Sequence, residues 1–145
     1  MSTRGDIYDA VIDAFESSTG FKHVTKNLEP WWDWSHTKLP GICVIDGEEP
    51  RKRFSFPHGT SPDMEGRINF TLHIYDRDRN DNLAVKIDND IAEVRKVILN
   101  TTTLNDLVLL VKPGTWEKVD EGLTDNYIYI KYNFEVWYLY NHLNP

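Results

Sequence analysis

The sequence predicts an α+β fold: a mostly antiparallel β-sheet with two α-helices packed on it, in one domain over residues 1–145. Three observations predict it. Apolar residues recur at helical spacing in two well-separated segments, 3–17 and 82–99. They alternate with a period of two in 67–75 and 127–140. The order is helix, several strands, helix, two strands, which is not the one-for-one alternation of a parallel α/β array. A chain of 145 residues has enough material for one core and too little for two.

The first helix is expected over about 3–17. Ile7, Val11 and Phe15 repeat at i, i+4 and i+8, and Tyr8 and Ile12 widen the stripe. Thr3 is placed as an N-cap with Asp6 three residues on, and Gly20 marks a stop beyond the helix. A short strand is expected within Phe21–Leu28, centred on Val24. Glu29 to Pro40 reads as a loop carrying Trp31, Trp32 and Trp34 between two prolines. Gly41–Asp46 is an apolar strand ending in the turn Asp46-Gly47, and Arg51–Phe56 is expected to pair with it as a hairpin arm. Pro57 to Gly66 reads as a loop.

Arg67–Tyr75 is a strand with Ile68, Phe70, Leu72 and Ile74 on one face. The acidic loop Asp76 to Asn82 leads into the second helix, with Asp81 as N-cap and Leu83, Ile87, Ile91, Val94 and Ile98 as its apolar face. Leu107–Lys112 is a strand that Pro113-Gly114 is expected to end, followed by a polar connection over 115–126 that holds Trp116. The closing strand, Tyr127–Tyr140, puts Ile128, Ile130, Tyr132, Phe134, Val136, Tyr138 and Tyr140 on one face and Lys131, Asn133 and Glu135 on the other.

Charge and composition exclude several function classes. Sixteen basic against 23 acidic residues leave a net −7, the wrong sign for general nucleic-acid binding. Arg51-Lys52-Arg53 follows Glu48-Glu49 and reads as a solvated turn. The longest aliphatic run, Leu107 to Val111, is far short of the ~20 residues that span a bilayer, so no membrane partner is expected. The N-terminus has no apolar h-region, so no secretion signal is expected. The single cysteine, Cys43, sits among aliphatics and reads as a small buried hydrophobe.

Chemistry-bearing motifs are missing. Asp76, Asp78 and Asn80 match the start of a calcium loop, but its glycine position holds Asp81 and its bidentate glutamate position holds Ile87. The stretch therefore reads as a solvated acidic loop. The five histidines form no i, i+4 pair, and His73 reads as an exposed or hydrogen-bonded surface group. There is no G-x-S-x-G and no phosphate-binding glycine loop. No catalytic residue, metal site or cofactor is expected.

Aromatic surplus is the positive signal. Trp31, Trp32 and Trp34 crowd one loop, either plugging the end of the core or binding a partner. Tyr127, Tyr129, Trp137 and Leu139 lie on the nominally outer face of the closing strand, which implies burial on both of its faces. Trp31, Trp32, Trp34, Tyr127, Tyr129 and Trp137 are therefore the candidate interface residues, and a neighbouring subunit is a natural cover.

Four stretches carry a resemblance at the level of pattern over nearly the whole chain. They are the amphipathic helix Ile7 to Phe15, the strand Ile42-Cys43-Val44-Ile45-Asp46, the strand, acidic turn and helix from Ile68 to Ile98, and the aromatic strand Phe134-Glu135-Val136-Trp137-Tyr138. In this order the chain resembles the tail terminator proteins (also called tail completion or neck proteins) of long-tailed bacteriophages. The Trp31–Trp34 loop has no match in that pattern. The resemblance implies a non-enzymatic virion protein, assembled in the host bacterial cytoplasm, that forms a hexameric ring. The ring would cap the tail tube protein, end tube growth and offer a surface to the head-side connector or neck protein. DNA would pass through its lumen without specific binding. Other readings are a different tail or neck subunit (tube, baseplate or head-completion), a ligand-binding module with the tryptophan loop as its mouth, and a small metal-dependent hydrolase using Asp76–Asp81.

Overall fold

A computed structural model describes residues 4–18, 20–28, 39–47, 51–52, 63–77, 83–100, 108, 110–119 and 127–141. Its elements in chain order are α1 (Arg4–Glu16), β1 (His23–Thr25), β2 (Gly41–Asp46), β3 (Arg51–Lys52), β4 (Asp63–Arg77), α2 (Leu83–Asn100), β5 (Leu110–Lys118) and β6 (Tyr127–Asn141). The fold is α+β, with a sheet ordered β1-β2-β4-β6-β5 and β3 paired to β4. Every pairing is antiparallel except β1 with β2. The expected caps Thr3 and Asp81 lie outside the described residues, as does the loop with Trp31, Trp32 and Trp34. No helix among the described residues is long and apolar enough to cross a membrane.

The frame is the β4–β6 pair, two 15-residue strands in register from Asp63↔Asn141 to Arg77↔Tyr127. Their even-numbered residues from 68 to 76 and from 128 to 138 point to one side, where Ile68, Phe70, Leu72, Ile74, Ile128, Ile130, Tyr132 and Val136 are fully buried. Both helices cover that side. Helix α1 contributes Ile7, Val11, Ile12 and Phe15, and α2 contributes Ile87, Ile91, Val94, Val97 and Ile98 to the same core. Just beyond the end of α1, the Ser18 hydroxyl donates to Glu93 of α2 at 2.6 Å. Cys43 is fully buried in the middle of β2, as a small hydrophobe should be.

Four local expectations are corrected. First, β3 pairs with Glu65–Gly66 of β4, not with β2. Strand β2 takes Phe70–Tyr75 of the same β4 edge, so β2 and β3 lie end to end along it. The register differs by one residue between Asp46↔Phe70 and Arg51↔Gly66. Second, Arg51 and Lys52 therefore lie in a strand rather than in a turn. Third, β4 begins at Asp63, so 63–66 are strand and not loop: β6 is long enough to pair with them.

Fourth, β5 does not stop at Pro113-Gly114 but runs on to Lys118, with Trp116 in it. An irregularity between Pro113 and Trp116 absorbs the proline, which cannot donate to the ladder. Gly114 is needed there because a Cβ would run into the Asn133 backbone carbonyl of β6. Gly114→Ala is accordingly expected to destabilise the fold by about 1–3 kcal/mol, the usual cost of forced overpacking. Urea unfolding of the two chains checks this, and an unchanged midpoint would contradict it. As the sheet's edge, β5 is guarded by this bulge and by the exposed Lys112, Glu117 and Lys118.

Candidate functional site: the open face of the sheet

With both helices on one side of the sheet, the odd-numbered residues of β4 and β6 line the other. On β4 these are Arg67, Asn69, Thr71, His73, Tyr75 and Arg77. On β6 they are Tyr127, Tyr129, Lys131, Asn133, Glu135 and Trp137. Cross-strand register decides what touches. Arg67 sits opposite Trp137, His73 opposite Lys131, Tyr75 opposite Tyr129 and Arg77 opposite Tyr127. Three of the interface candidates read from the sequence, Tyr127, Tyr129 and Trp137, thus share this face at half-burial. One edge of β6 is paired with β4 along the whole strand, and the other is paired with β5 from Ile130 to Trp137.

The aromatic rings here are capped by cations. The Arg67 guanidinium lies 4.0 Å from the Trp137 ring centroid, and Lys112 of β5 lies 5.6 Å from it. Arg77 stands 5.1 Å over Tyr127 and Lys131 6.0 Å from Tyr129. Each ring offers its negative quadrupole face to a cation, which fixes long side chains that would otherwise be mobile. The Trp137 indole N–H donates to the Glu135 carboxylate. Thr71 donates to Asn133 at 2.9 Å between the two aromatic ends. Beside the β5 bulge a hollow of about 380 Å³ is lined by Asn69, Lys112, Asn133 and Glu135 among others.

One end of the face is a small apolar cluster. Leu39, Cys43 and Tyr75 are buried there with Tyr127 and Tyr129 packed against them. The Tyr75 and Tyr129 rings lie 4.7 Å apart. Burial and the neighbouring Tyr129 push the Tyr75 hydroxyl strongly up. His73 Nδ1 and the Tyr129 hydroxyl are 2.6 Å apart, so His73 is a hydrogen-bonded histidine rather than an isolated ligand. Burial, and then the charge of Lys131, lower its pKa, so it stays neutral at pH 7.

A second polar locus lies on the helix side, around Asp76, which the sequence analysis placed in a solvated acidic loop. Asp76 is not part of a solvated loop. It ends the inward row of β4, is 2% exposed, and lies under α2 beside Asp90. Parity explains it, since 76 continues the even series 68, 70, 72 and 74. Asp90 is likewise in register with the apolar stripe of α2, three residues after Ile87. Burial first, then a hydrogen bond to Asp76 and its charge, push Asp90 up to about 9, against the pull of Lys86. Asp90 therefore keeps its proton at pH 7 and donates it to Asp76. Lys86 Nζ stands 3.8 Å from Asp76 Oδ2. The pair lines a cleft of about 480 Å³ that also includes Lys22, Arg77, Asn89 and Glu93. Among the described residues, no three His, Cys, Asp or Glu side chains converge to hold a metal ion.

No protein-family model and no curated protein matches this chain. The functional reading therefore rests on the open face and on the pattern of elements.

Proposed function

We propose that this protein is a structural virion subunit of the tail terminator kind. In this reading it assembles into a hexameric ring at the end of a tail tube, stops tube growth and presents a different surface to the head-side connector. A tube grows because each added ring recreates the same acceptor surface. A terminator matches the tube below and differs above, so addition stops. The acidic balance of −7 suits a lumen through which DNA slides without sticking. The protein would be made in the host bacterial cytoplasm and end in the virion.

The observation that carries this reading is the open sheet face. It keeps Tyr127, Tyr129 and Trp137 half-buried under cations with neither helix over them. Tyrosine, tryptophan and arginine are the residue types that dominate protein–protein binding energy. Negative-stain images of the purified chain test the reading. Uniform closed rings are expected. Long tubes would point instead to a tube subunit, and isolated particles of one chain would overturn the ring altogether.

A further inference from the structure

Helix α2 carries apolar residues on two opposite sides. Ile87, Ile91, Val94 and Ile98 belong to the core. Val85 and Leu99 stand away from it, 59% and 69% exposed. Ala92, also exposed, lies midway between them in the sequence. The three fall at i, i+7 and i+14, a spacing that drifts by only about 20° per heptad and so makes one outward stripe. The stripe is about 21 Å long at 1.5 Å per residue. Trp116 of β5, 38% exposed, borders it across a groove of about 520 Å³ that Asp88, Ala92, Arg95 and Leu99 also line.

The polar residues of the stripe fit a copy of the same helix turned end for end. Asp88 lies four residues before Ala92 and Arg95 three residues after it, and both fall on one flank of the stripe. A two-fold axis at Ala92 reverses the helix and keeps each flank on its own side. Asp88 of one copy therefore meets Arg95 of the other, offset by about 1.5 Å along the helix, and the pair occurs twice. Val85 of each copy meets Leu99 of the other at the two ends. On the second flank Lys96 meets Asn89, whose side-chain carbonyl accepts from it. Asp88, Asn89, Arg95 and Lys96 are all exposed, and among the described residues no hydrogen bond or ion pair engages them. The residue at the axis is small, so the backbones approach closely. With packed helix axes about 8–10 Å apart and Cα atoms about 2.3 Å from each axis, the two Ala92 Cα atoms are about 3.4–5.4 Å apart.

We propose that the outward stripe of α2 is a two-fold contact between two copies of this chain, helix against antiparallel helix about Ala92. Such a contact is isologous, uses the same patch on both copies and closes on two. It goes beyond the ring reading: a ring needs a separate head-to-tail contact, and where rings form the α2 contact joins one ring to a second.

Cross-linking and charge exchange test it. In the Ala92→Cys chain each new thiol faces its own counterpart within disulfide reach, and the native Cys43 is fully buried. Under mild oxidation a covalent pair of chains is expected on a non-reducing gel. Asp13→Cys, at an exposed position of α1, is expected to stay single. Asp88→Arg and Arg95→Glu each set like charges opposite one another at both ends of the contact. Each is expected to weaken pairing by about tenfold or more in sedimentation velocity. The two together keep the net charge at −7 and are expected to restore pairing. All these positions are exposed on helices, and circular dichroism confirms folding. No cross-link above the Asp13→Cys level overturns the inference, as do pairing that neither reversal weakens and a double variant that fails to recover. A chain that forms rings and shows no α2 pairing overturns this contact alone. A chain that pairs through α2 and forms no ring supports the contact and overturns the ring reading.

Discussion

Phe134→Ala is expected to lower the unfolding free energy by about 3–5 kcal/mol, the range for emptying a buried phenylalanine site. Phe134 is 3% exposed and sits where all three structural units meet. Its ring stacks on Phe70 of β4 at 5.1 Å and approaches Phe15 of α1 at 6.2 Å. Val97 and Ile98 of α2 and Val111 of β5 close the same spot. Removing the ring therefore loosens both helices from the sheet at once. Domains have only about 5–15 kcal/mol in total, so the variant should lose a large share of its folded population. Phe134→Leu keeps most of the volume and should cost much less. Urea denaturation of the three chains reads the order, and an alanine variant as stable as the leucine one would contradict it.

Asp90→Asn is expected to stabilise the protein at neutral and alkaline pH and to flatten its pH dependence. In the unfolded chain Asp90 ionises near its ordinary pKa of 3.8, and in the folded chain only near 9. Between those values folding takes up a proton. The stabilisation is complete below about pH 4 and is lost as pH rises through the folded value. The slope approaches about 1.4 kcal/mol per pH unit for one whole proton. Asparagine keeps the shape and a donor for Asp76 without the ionisation. Urea midpoints at pH 5, 7 and 9 should fall more steeply for wild type than for the variant. Parallel falls would contradict the assignment.

These two sites mark the boundary of what the sequence discloses. Phe134 was legible because its strand alternates strictly, and the row Ile128 to Tyr138 faces the core as the spacing predicts. Helices α1 and α2 follow local periodicity in the same way, and β2 from Gly41 to Asp46 was legible as a short apolar run before a turn. Asp76 and Asp90 sit at core parity, but polarity argued for solvent, and only the meeting of β4 with α2 makes each the other's partner. The run of β5 through Pro113-Gly114 was hidden because a bulge accommodates residues that usually end strands. The pairing of β3 with β4 was hidden because it depends on which edge is left open after β2 is placed.

The open face was half legible. The positions of Tyr127, Tyr129 and Trp137 follow from parity alone. Their capping by Arg67, Arg77 and Lys112 depends on a register that joins strands far apart in the chain, and no local pattern encodes it.

The mass of the wild-type protein in solution, measured by sedimentation velocity over a wide range of concentration, tests the assembly claim most directly. A single closed species at a fixed multiple of 16.9 kDa, six-fold for a hexamer, is the expected result. A 16.9 kDa particle at every concentration would contradict it.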